Sequence, residues 1–162
     1  MNSKLSLIAI LLFAGSIAAE AQTSDAETEA VINLLGVQKK EAIAKLVPVS
    51  GKDSIAFWKI YDEYQQANKA NAKDRLKLYE GTAMSYQNMT PAIADSLAKL
   101  YFINRSDQEK ALETYYKKIK AATNPITAFE FYQAEIYILT QVRAQIMQQI
   151  PAYGAFKAGL KK

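Results

Sequence analysis

Between Pro48 and Pro151 the chain carries proline only twice, and both times it follows a helix-capping residue, as Thr90-Pro91 and Asn124-Pro125. A side-chain acceptor at the N-cap with Pro at the first helical position starts a helix and fixes where the previous one must stop. Pro48 ends a first helix that begins near Ser24 or Asp25, and Ile150-Pro151 ends the last. The chain has no Asn-Gly or Asp-Gly hairpin signal, no sustained period-two alternation, and only 6 Gly in 162 residues. The spacing therefore predicts an all-α chain with helices over 25–47, 53–88, 91–123 and 125–149. Gly36 weakens the middle of the first, whose second part, over 39–46, is amphipathic.

The second segment is about 54 Å long at 1.5 Å per residue. It predicts an elongated antiparallel hairpin with 91–123 about the turn Asn88-Met89-Thr90. Facing residues then have numbers summing to about 179. That register pairs Ile60 with Ile119, Tyr64 with Tyr115, Ala67 with Leu112, Tyr79 with Leu100 and Tyr86 with Ile93. Between the apolar pairs lies a polar waist, where 65–75 faces 104–110. It reads either as solvated helix faces with exposed ion pairs or as a wet basic cradle around Lys69, Lys73 and Arg75. Stripes such as Phe57, Trp58, Tyr61 and Tyr64, or Phe129, Tyr132, Ile136 and Leu139-Thr140, are expected to be core. Ten tyrosines are many for this length, so several should sit on a rim where their hydroxyls stay wet. Trp58, Leu76, Tyr101 and Tyr116 fall off the expected seam. The first and last helices can cover one face of the hairpin, which leaves the other for a second subunit or a client. A homodimer is expected, with client contacts at Lys69, Lys73, Arg75, Trp58, Tyr101 and Tyr116.

Residues 1–21 read as an export signal: Lys4 precedes an apolar run over 5–19, and Ala19-Glu20-Ala21 gives the small-x-small cleavage pattern. The run is short of the roughly 20 residues that span a membrane, so no stable insertion is expected after cleavage. The remaining chain is expected to be one domain over 22–153 with a basic, flexible tail over 154–162, periplasmic or secreted. Its formal balance stays at +4. With no His and no Cys, catalytic triads, Cys–His dyads, thiol redox chemistry and imidazole or thiolate metal sites are excluded. The carboxylate sets Asp62-Glu63, Glu109 with Glu113, and Glu130 with Glu135 are expected in solvent on helix faces. The scattered glycines form no phosphate loop, and nothing reads a nucleic-acid groove. The chain reads as a binding module rather than an enzyme, with no catalytic residue, metal or cofactor expected.

The run Phe57-Trp58-Lys59-Ile60-Tyr61-Asp62-Glu63-Tyr64 follows an amphipathic stretch that opens with Lys39-Lys40 and closes with Leu46-Val47. This F-W-x-x-Y-x-x-Y pattern resembles a family of small exported bacterial helical proteins, over about 39–153. More distantly, the architecture is similar to the Spy/CpxP group of periplasmic proteins, named for L-T-x-x-Q repeats. Such a repeat is a staple residue, an N-cap hydroxyl and a capping-box Gln. The matching places here are Val49-Ser50-Gly51-Lys52-Asp53 and Met89-Thr90-Pro91-Ala92-Ile93, where Asp53 and Ile93 replace the Gln. The resemblance implies an envelope-stress protein. Either it holds unfolded client proteins as an ATP-independent chaperone, or it docks the periplasmic part of a membrane sensor as a regulator. The metal-sensing branch of that group uses His, which this chain lacks.

Overall fold

A computed structural model describes residues 25–148 together with Ile150 and Gly159. The export signal expected over 1–21 lies outside the described residues, as does the expected tail apart from Gly159. Over 25–148 four α-helices follow one another: α1 (Asp25–Leu46), α2 (Gly51–Ser85), α3 (Pro91–Ala122) and α4 (Pro125–Met147), with a 3-10 turn at Tyr86–Asn88. All four sit within a few residues of the spans the sequence predicts.

The boundaries have local causes. The Thr90 side chain accepts from the Ile93 N–H at 3.3 Å. Asn124 Oδ1 accepts from the N–H groups of Ile126 and Thr127 at 2.9 and 3.0 Å. Each satisfies helix-end donors that would otherwise be orphaned. Ser50 makes no such bond, and α2 instead enters through Gly51 at φ +60°. That left-handed conformation costs a side-chain-bearing residue about 1–2 kcal/mol.

Short links make neighbouring helices antiparallel. α2 pairs along its length with α3, α3 with α4, and α1 packs on both α2 and α4, closing an up-down-up-down bundle. α1 and α4 thus cover one face of the hairpin, as the apolar surplus requires. The core lies at the base, where Ile43, Val47, Phe57, Tyr61, Leu112, Ile119, Ala128 and Phe131 are essentially sealed. Each large side chain buried there contributes about 1.5–3 kcal/mol. The Phe131 ring meets Phe57, Tyr61 and Tyr64 edge-on, at 6.4, 6.2 and 5.4 Å between centroids.

The register holds at the base and drifts outward. Tyr64 faces Tyr115 at 5.3 Å as expected. Ala67 does not face Leu112: it is exposed, and Asn68 turns inward in its place. Farther out the partner of Tyr79 is Tyr101, at 6.0 Å, and Leu100 is 47% exposed. Tyr101 thus lies in the seam rather than off it.

Candidate functional site

α4 carries the largest departure from expectation. Its inward face is Thr127, Ala128, Phe131, Ala134, Glu135 and Ile138. Of the expected stripe, Phe129 is 53% exposed and Thr140 is also outside, while Tyr132, Ile136 and Leu139 are half-buried. The helix has apolar groups on several sides, so spacing alone did not select a face. Glu135, expected in solvent, has no exposed surface at all.

Glu135 survives there because three groups converge on it. Tyr64 donates its hydroxyl to one carboxylate oxygen at 2.7 Å, and Tyr61 donates to the other at 3.3 Å. Lys39 closes an ion pair at 2.7 Å while lying over the Tyr64 ring, 4.8 Å from its centroid. A buried carboxylate left without such partners is costly, and a fully paired one is tolerated. Burial and then the Glu135 charge push both tyrosine hydroxyls well above their ordinary value. They stay protonated and act as fixed donors. The motif-bearing α2 therefore supplies two tyrosines to this cluster, α1 the lysine and α4 the acid. Of the other carboxylates in those sets, Asp62 pairs with Lys40, Glu63 with Lys118 and Glu113 with Lys117 on the surface and Glu109 is exposed, whereas Glu130 is half-buried.

The waist is a hydrogen-bonded seam rather than a pair of solvated faces. Asn104 Nδ2 donates to the Asn71 carbonyl at 2.9 Å, and Asn71 Nδ2 returns the bond to the Asn104 carbonyl at 3.1 Å. Arg75 spans the seam, donating to Asn71 Oδ1 at 3.1 Å and to Gln108 Oε1 at 2.6 Å. Burial holds its guanidinium below the usual arginine value. Such paired amides fix helix register, since a slip leaves buried donors unmet.

A cavity of about 500 Å³ opens beside this seam, between α1, α2 and the second half of α4. A smaller one of about 230 Å³ lies on the α3 side, and Arg75, Tyr79, Leu139 and Arg143 line both.

The six expected contact residues do not form one surface. Lys69, Lys73 and Arg75 are half-buried rather than exposed; Lys69 and Arg75 line the larger cavity, while Arg75 is also committed to the seam. Tyr101 shares a hydroxyl contact with Thr82 at 2.8 Å and lines the smaller cavity. Trp58 and Tyr116 are half-buried against the base core, with Lys40 lying over the Trp58 ring at 5.5 Å. Sequence reasoning missed Glu135, Lys39 and Asn68. The available signal was Glu135 itself, one turn from Phe131 and Ile138 on α4.

No protein-family profile, curated protein or solved structure matches this chain. Among the described residues no helix is long and apolar enough to cross a membrane, and no three His, Cys, Asp or Glu side chains gather as a metal site.

Proposed function

We propose that this chain is an exported, envelope-stress binding protein that holds segments of non-native client proteins without ATP, as a homodimer. The observation that supports this reading most is the outer half of the hairpin. Met84, Leu100, Phe102 and Ile103 are 63, 47, 72 and 59% exposed there, beyond the reach of the base core. Arg105 follows on the same helix and is also exposed. Apolar groups interleaved with cations suit extended, partly unfolded chains of mixed sequence. The working surface thus moves from Trp58 and Tyr116, which pack on the core, to this outer half.

The test is suppression of aggregation for two unrelated unfolding proteins, with the mature chain at equimolar ratio. The expected result is suppression of both, largely lost in Phe102→Ser/Ile103→Ser with the helical spectrum unchanged. Capture of a single membrane sensor without suppression would replace the chaperone reading with the regulatory one. Sedimentation as a monomer at tens of micromolar would remove the dimer.

A further inference from the structure

The larger cavity has a composition of its own. Among the described residues Lys39, Lys40, Lys69, Arg75 and Arg143 line it beside one carboxylate, Asp62, which pairs with Lys40, while Lys39 pairs with the buried Glu135. Five cations against those two carboxylates leave the described lining with a balance of +3. The opposite wall is apolar, made by Leu76, Ile138, Leu139, Val142 and Ile146. At about 500 Å³ it falls within the roughly 300–1,000 Å³ of small-molecule sites.

A third feature is polar and unmet. Tyr64 spends its hydroxyl proton on Glu135, so toward Asn68 it can only accept, and the Asn68 amide nitrogen faces it at 3.5 Å. That orientation leaves Asn68 Oδ1 buried without a partner, in a side chain only 5% exposed that lines the cavity. Gln38 Oε1, from α1, is a second buried acceptor without a partner, and Gln38 lines the same cavity. Buried acceptors of this kind call for a donor.

From these three features we infer that the cavity is a binding site for a single-chain amphiphile. Its head is anionic and carries at least one hydroxyl or N–H donor. The acyl chain lies along the α4 wall from Ile138 to Ile146, the negative charge meets the Arg75 and Arg143 heads, and a turn of the Asn68 side chain brings its sealed Oδ1 to the head-group donor. This site is separate from the client-holding surface and does not rest on that reading.

The probe is monomeric lysophosphatidylglycerol, whose head combines a phosphate with glycerol hydroxyls, titrated calorimetrically into the mature chain below the micelle-forming concentration. One molecule per chain should bind. Three comparisons separate the contributions. Glycerol phosphate, with no acyl chain, should bind more weakly by a hundredfold or more, since about four buried methylenes already supply that factor. Lysophosphatidylcholine of the same chain length, whose choline cancels the phosphate charge, and a fatty-acid carboxylate, which lacks the donor, should each lose about tenfold. Arg143→Glu, at an exposed position that the bundle does not need, should weaken the probe about tenfold and flatten its salt dependence. Absence of saturable one-to-one binding overturns the site, as does equal affinity of the Arg143→Glu chain. Indifference to head group overturns the anionic assignment.

Discussion

At the residue scale, Glu135 is the side chain on which the bundle turns. Its two oxygens hold Tyr61, Tyr64 and Lys39 together, so groups from two other helices depend on one acid. Removing it strands two buried hydroxyls and a largely buried ammonium. Glu135→Ala should therefore cost about 3–5 kcal/mol in urea unfolding. Tyr64→Phe, which removes one donor and keeps the ring, should cost about 1–3 kcal/mol. Equal stability of the Glu135→Ala chain and its parent would show that the cluster does not hold the helices. The same geometry sets an alkaline limit. Both tyrosines keep their protons longer in the folded chain than in the unfolded one. Their contribution is complete below the ordinary tyrosine value of 10.0 and is lost as pH rises above it, because the unfolded chain releases protons first. A Tyr61→Phe/Tyr64→Phe chain, though less stable at neutral pH, should lose less stability between pH 9 and 11 than its parent. A parallel loss in both would place the alkaline sensitivity elsewhere.

At the scale of elements, two glycines make opposite demands. Gly51 enters α2 at φ +60° with open space around it, so Gly51→Ala meets no clash and only the backbone penalty, about 1–2 kcal/mol of destabilisation. Gly36 lies within helical α1, where an added methyl would meet Gln65 Oε1 at an ordinary 3.7 Å. Gly36→Ala should stabilise by about 0.5–1 kcal/mol, since helix propensity improves and nothing has to move. Thermal melts of the two variants should shift in opposite directions; shifts of one sign would refute the account. The caps should divide too. Asn124→Ala, which loses two bonds, should cost more than Thr90→Ala, while Ser50→Ala should be near neutral because Ser50 makes none. These elements were legible in the sequence because proline and capping residues act locally, and the hairpin register at Tyr64 and Tyr115 followed from counting out of the turn. The inward face of α4 was not legible. Phe129, Tyr132 and Ile136 offered an apolar stripe as good as the true one, and only the hydroxyls of α2 and Lys39 of α1 make Glu135 the side that turns in. The waist was missed for the same reason: Arg75 reads as a surface cation until Asn71 and Gln108 are placed beside it.

At the scale of the molecule, the bundle is unevenly built. α2 and α3 run for 35 and 32 residues, but α1 and α4 for only 22 and 23. At 1.5 Å per residue the described parts of the short helices end about 15 Å short of the hairpin's far end. The continuous core belongs to the base and stops at the amide seam; Leu78 and Tyr79 are buried beyond it but stand outside that cluster. Opening energies within one protein follow the apolar area that each part buries. Amides of Phe57, Tyr61, Leu112, Ile119 and Phe131 should therefore exchange with solvent only through global unfolding. Those of Thr82, Met84, Leu97 and Leu100 should exchange through local opening, at least a hundredfold faster, an interval of about 2.7 kcal/mol. Asn104→Ala, which removes the side-chain donor that crosses to the Asn71 carbonyl, should speed exchange on the outer side of the seam and leave the base unchanged. Such a division would let the outer hairpin adapt to varied clients while the base keeps the four helices together. Uniform protection from base to tip, in the parent and in Asn104→Ala alike, would mean the bundle opens as one unit, and the adaptable outer half would have to be abandoned.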